Sequence, residues 1–269
     1  FLFAGMEKAS CETVIRKWGD RLRAVLDTCA EETELEENFV NQLLEGGDSE
    51  LVDCSELVDA CVGLPTKPYY RELCRSLHKW ATTGTLQHLN FVDFPVLTHN
   101  PATERRLLER TAAMQTLLSE GDMKGVMKAL TQRDILTLLR LRNTDGSISH
   151  RLPPTRTQLL EAFNRLHKAT VRLTVGARAL CKHAVRCTWW GTPMGPEAEK
   201  NEMANRKMAK VLDAAVWINS FMLPHEVEAF EVREAGGYGA RWMKRDDVWV
   251  FRGFVEPPMP DGHERGWKH

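Results

Sequence analysis

The last 33 residues of the chain, Gly237 to His269, concentrate side chains able to do chemistry. Three tryptophans (Trp242, Trp249, Trp267) and two histidines (His263, His269) stand among Arg241, Arg252, Glu256 and Asp261. Glycines at 237, 239, 253, 262 and 266 let the backbone turn tightly between them. Arginine forks hold anions at two points, and a histidine oriented by a carboxylate moves protons. One reading is therefore a pocket. His263 would act as general acid or base, oriented by Glu256 or Asp261, and Arg241 would stabilise developing negative charge. The other reading is a small sheet closed by tryptophans, with its polar groups engaged in local hydrogen bonds and ion pairs.

A second constellation lies upstream. Arg178, Lys182 and Arg186 recur every four residues and would share one face of a helix. Arg165, Lys168 and Arg172 make a similar row before them. Such a row contacts an anion or an RNA backbone, or is simply a solvated helix face. The ligand-binding set predicted from both constellations is Arg178, Lys182, His183, Arg186, Arg241 and Arg252. It would line a cleft between a helix over residues 155–187 and a C-terminal sheet. His183 and Cys187 are also four apart, but a structural zinc site wants four ligands at closer spacing, and neither CxxC nor HExxH occurs. No metal and no cofactor is expected. Walker A, GxGxxG and GxSxG motifs are absent as well.

Composition narrows the classes. The formal net charge of −1 gives no global drive toward nucleic acid or an anionic membrane, so nucleic acid is an unlikely partner on this ground. The seven cysteines are scattered, which reads as thiols of a reducing compartment, the cytoplasm or an organelle matrix. The best uncharged run, Ala214 to Pro224, falls short of the ~20 residues a membrane helix needs.

The elements that must position these residues are mainly helical. Trp18, Leu22, Val25 and Leu26 recur at helical spacing, as do Leu35, Phe39, Leu43 and Leu44 before Gly46-Gly47. Short helices are predicted over Ser49–Cys61 and Tyr69–Trp80. Asn100-Pro101 is a helix start. Thr131 with Asp134, and Thr155 with Gln158, have capping-box spacing. One long helix is predicted from Thr155 to about Trp189, and another from Ala204 to Met222. Beyond Pro224 the period becomes two, and Val227–Arg233, Tyr238–Trp242 and Val248–Phe254 predict a three-stranded antiparallel meander. Arg245-Asp246-Asp247 would be a hairpin connection. The expected fold is α+β, mainly α: a helical bundle or array over residues 1–150, then a second unit over 151–269 whose long helices pack on a small antiparallel sheet.

The stretches Leu173–Leu180, Lys182-His183, Trp190-Gly191, Lys200-Asn201, Gly237–Trp242, Phe251–Phe254 and Asp261–His263 together resemble the C-terminal part of an uncharacterised eukaryotic protein family, over about residues 152–269. That resemblance implies no activity. Three functions follow from the residues. The first is a binding module for an anionic, phosphate-bearing small molecule in the predicted cleft. The second is an enzyme using His263 there. The third is an assembly subunit whose N-terminal helices dock protein partners.

Overall fold

The computed structural model of the chain describes residues 11–28, 35–46 and 62–259. The predicted helix over Ser49–Cys61 lies outside them. Among the described residues the fold is α+β and mainly helical: ten α-helices and one four-stranded antiparallel sheet at the C-terminal end.

The first part of the chain builds a helical layer around α3 (Tyr69–Thr83). Leu73, Leu77 and Trp80, spaced three or four apart, and Cys74 beside them are fully buried on one face. Gly84 ends the helix in the left-handed conformation, φ 68°, returning its N–H to the Trp80 carbonyl. Around it pack α1 (Cys11–Thr28), α2 (Glu37–Leu44), α5 (Thr111–Glu120) and α7 (Gln132–Leu138). The helices α4 (Ala102–Glu109) and α6 (Met123–Ala129) complete the layer against α7 and α5. Two start signals act as their chemistry dictates. The Asn100 carboxamide oxygen accepts from the Ala102 N–H at 3.0 Å, and Thr131 with Asp134 forms a reciprocal capping box.

The second part departs from prediction twice. The long helix expected from Thr155 is two: α8 (Arg156–Asn164) and α9 (Val175–Ala184). Thr155 and Gln158 do cap α8. The break at residues 165–174 has a tertiary cause. Asn201, on α10 (Glu197–Asp213), accepts from the Thr174 N–H at 3.0 Å and donates to the Arg172 carbonyl at 2.8 Å. Those two bonds hold the chain extended just ahead of Thr174, whose hydroxyl then caps the new helix at Ala177. The second departure is that α10 stops at Asp213 and Ala215–Leu223 is strand β1. Ala215, Ile218 and Met222 fit a helical spacing, but Val216, Trp217, Ile218 and Phe221 are residues that prefer a pleated surface.

The sheet is therefore a four-stranded meander in the order β1-β2-β3-β4, not the three-stranded one expected. Its other strands are β2 (Val227–Glu234), β3 (Gly239–Arg245) and β4 (Val248–Val255). Asp246 and Asp247 make the β3–β4 connection with φ 48° and 59°, the paired left-handed geometry of a tight hairpin. One face of the sheet carries Ile218, Phe230, Val232, Trp242, Phe251 and Phe254, all buried. Helix α10 packs on β2 and β3, while α8 and α9 pack on β4.

Gly239 opens β3 and is required by space. A Cβ there would sit 2.0 Å from the Val232 carbonyl oxygen, a backbone atom that cannot swing aside. Gly239→Ala is expected to lower stability by about 1–3 kcal/mol or more, read as a lower urea midpoint.

Candidate functional site on the polar face of the sheet

Alternation along the strands sends a different set of residues to the other face. The register places Asn219, Glu231 and Arg241 on one rung across β1, β2 and β3. Trp217 and Arg233 occupy the adjacent rung with Gly239. A carboxylate thus sits between two arginines. Glu231 is fully buried; it accepts from Arg233 Nε at 2.6 Å and from Arg241 Nε at 2.5 Å. Burial alone would raise its pKa. The two guanidinium charges and their hydrogen bonds outweigh that and hold it below the ordinary carboxylate value, so Glu231 is ionised at neutral pH.

This face is partly roofed by the first part of the chain. Residues 141–148 run beside β1. Arg142 N–H donates to the Ile218 carbonyl at 2.7 Å, Ile148 N–H to Ser220 at 2.9 Å, and Met222 N–H to Gly146 at 2.8 Å. Asn219 is fixed by the same segment, accepting from the Ser147 hydroxyl at 3.0 Å and donating to Thr144 Oγ1 at 2.8 Å. Between roof and sheet lies a cavity of about 230 Å³ bordered by Thr98, Thr144, Asp145, Trp217, Phe221, Glu231 and Arg241. Trp217 is itself 1 % exposed, and its indole N–H has no hydrogen-bond partner. Such a group is uncommon in a folded protein, and here it is closed off from solvent. Val96, a β-branched residue at φ 70°, stands on the cavity rim.

Arg241 is the cation of the cavity. Its Nε belongs to Glu231, its guanidinium lies 5.5 Å from the Phe221 ring centroid, and its side chain keeps 20 % exposure. Among the described residues its terminal N–H groups have no hydrogen-bond partner. Asp145, exposed at the Asp145-Gly146 turn, is the accessible carboxylate of the wall.

Glu256 belongs to a different, closed cluster. Its carboxylate bonds His183 Nδ1 at 2.8 Å and accepts from Trp190 Nε1 at 2.9 and 3.0 Å. Its backbone carbonyl accepts from Arg233 Nη1 at 2.7 Å. Beside it the Tyr238 phenol is pushed up to about 12, chiefly by its hydrogen bond with the Cys187 thiol at 3.0 Å. His183 and Cys187 thus have separate partners. Among the described residues no group of three or more His, Cys, Asp or Glu is gathered to hold a metal.

The predicted ligand-binding set does not converge. Arg178 and Lys182 are exposed on α9, and exposed Arg186 lies beyond its end. His183 is turned inward, Arg241 projects from the opposite face of the sheet, and Arg252 is exposed on the edge strand β4. Asp261 and His263 lie outside the described residues. Sequence reading missed Glu231, Arg233, Trp217, Asn219 and Asp145. The signal for the first two was present: residues two apart in a strand share a face, so Glu231 and Arg233 had to stand side by side.

Residues 164–256 match the family described as CdiA C-terminal tRNase toxin domain, roughly a third of the chain. That stretch contains α9, α10 and all four strands. No curated protein and no solved structure shows a significant match. The match overturns the resemblance to an uncharacterised eukaryotic family, because the same residues follow the pattern of a family with a nuclease description. It also displaces the reading of the chain as an anion-binding module of undetermined activity and removes the ground for setting nucleic acid aside. No described helix is long and apolar enough to cross a membrane.

Proposed function

We propose that the chain cleaves RNA, with tRNA as its substrate, and that the cavity on the polar sheet face is where the phosphodiester bond breaks. The observation that carries this reading is the match over residues 164–256, which includes the whole Asn219–Glu231–Arg241 rung. The chemistry of the cavity supports it. Phosphodiester cleavage needs a cation on the phosphate and a group that takes the proton of the attacking hydroxyl. Arg241 supplies the first. Glu231, held ionised by two guanidiniums, is a poor proton acceptor and instead orients Arg241. Asp145 is the carboxylate left to accept the proton. The attacking oxygen bonds to phosphorus as the bond to the leaving oxygen breaks, and the leaving oxygen takes a proton from solvent.

The roof over the cavity comes from residues 96–98 and 144–145, so the working unit extends beyond the matched stretch into the first part of the chain. Among the described residues the thiols of Cys74, Cys181 and Cys187 are free, which fits action in a reducing compartment.

Incubating the full chain with total tRNA and resolving the products on a denaturing gel tests the proposal. Discrete tRNA fragments are expected. Intact tRNA after prolonged incubation at equimolar protein would sink the reading, and equal cleavage of single-stranded DNA would remove its substrate assignment.

A further inference from the structure

Between Glu161 and Glu197 the chain has no carboxylate side chain, yet it carries Arg165, Lys168, Arg172, Arg178, Lys182 and Arg186. With a net charge of −1 overall, the remainder of the chain is acidic, so positive charge is concentrated in this one stretch. All six cations are exposed. They fall on the 165–174 connection, on α9 and just past its end, within the matched residues. The fold draws them together. His167 has its pKa lowered by desolvation and then by Arg178, Lys168 and Lys182, a field made of cations alone. Among the described residues, Arg165, Lys168, Arg172, Arg178 and Lys182 make no ion pair. The Asn201 clamp on Arg172 and Thr174 breaks the helix and folds the first part of the stretch back beside α9.

We infer that this surface, centred on Lys168, Arg178 and Lys182, grips the phosphate backbone of the tRNA at a distance from the bond being cut. The inference rests on the tRNase reading but concerns a separate surface. Helix α9, which bears or adjoins these cations, packs on the sheet face opposite the Arg241 cavity, and exposed Arg252 stands on edge strand β4, next to Gly253, which pairs with Arg241. A substrate holding both surfaces has to pass around the β4 edge. A folded RNA is large enough to do so, whereas a dinucleotide is not. Backbone contacts of this kind carry no sequence information; they fix the position of the substrate.

The test uses the full chain, one tRNA and a dinucleoside monophosphate. Binding of tRNA is followed by fluorescence anisotropy across a salt series, and cleavage of both substrates is measured in parallel. The triple variant Lys168→Glu, Arg178→Glu, Lys182→Glu is expected to weaken tRNA binding on the order of 10–100-fold. It should also flatten the dependence of log K on log salt by about 2–3, near one unit per lost phosphate contact. Dinucleotide cleavage should be unchanged. The single variants Arg178→Gln and Lys182→Gln, on exposed positions, should each weaken tRNA binding a few-fold and guard against a folding defect in the triple variant. An unaltered Kd and salt slope in these variants would overturn the inference even if tRNA is cleaved. Patch-dependent tRNA binding without any cleavage would keep the inference and remove the tRNase reading. Binding of an acidic protein or an anionic vesicle that depends on the patch, with tRNA binding insensitive to it, would assign the surface to another partner.

Discussion

Arg241→Ala is expected to lower the rate of tRNA cleavage by about 10²–10³-fold, the usual cost of removing one donor to a charged transition state. The loss should fall on kcat, with KM changing only a few-fold. The reason is how Arg241 is held. One nitrogen is bound at 2.5 Å to a carboxylate that is itself fully buried, so the guanidinium is aimed before substrate arrives. A cation fixed in this way gains most when charge builds on the phosphate oxygens, because no reorganisation is needed at that moment. Ground-state binding, by contrast, is dominated by backbone phosphates elsewhere. Arg241→Lys keeps the charge but cannot both bond Glu231 and present a two-point fork, so it should recover only part of the rate. The variants need a check by circular dichroism well below their melting temperature. If Arg241→Ala cuts tRNA as fast as the parent, the cavity is not the site.

The legible parts of the fold were those decided locally. Capping pairs three residues apart and the two-aspartate hairpin follow from short-range hydrogen bonding and backbone sterics, and both are as their residues dictate. The illegible parts depended on distant partners. Nothing near Thr174 says that Asn201 will hold it, and without Asn201 the apolar spacing from Phe163 to Ala184 reads as one helix. Strand β1 was lost for a related reason. Its spacing satisfies a helix, and what makes it a strand is the pairing of Ala215–Leu223 with β2 on one side and residues 141–148 on the other. Losing β1 also hid the site. Without it the partner of Glu231 in the rung, Asn219, has no place, and neither does the cavity wall of Trp217 and Phe221. The aromatic segment singled out from the residues, Gly237 to His269, is described as far as residue 259. In that part Arg241 faces the cavity on one side of the sheet, and Glu256 closes a packed cluster with His183 and Trp190.

Glu231→Ala is the substitution expected to cost most in stability. Arg233 is 2 % exposed, and its charge is balanced within the protein by Glu231; its Nη1 reaches only two backbone carbonyls, Gly237 at 2.6 Å and Glu256 at 2.7 Å. Removing the carboxylate leaves a buried cation without a counter-charge, a change that costs about 3–5 kcal/mol. The effect must depend on pH, and its sign is fixed by the direction of the Glu231 shift. A carboxylate whose pKa is lower folded than unfolded stabilises the protein above the unfolded value. That stabilisation is lost as pH falls through the depressed folded value. Urea midpoints should therefore differ most between parent and variant near pH 7. They should draw together below the ordinary carboxylate range, because there the parent protonates the same group. Glu231→Gln separates charge from shape. It preserves the volume and one acceptor, so it should cost less than alanine at pH 7 while losing the same pH dependence. A gap between parent and both variants that stays constant with pH would mean that Glu231 stabilises the sheet by packing, and that Arg233 and Arg241 are not held by its charge.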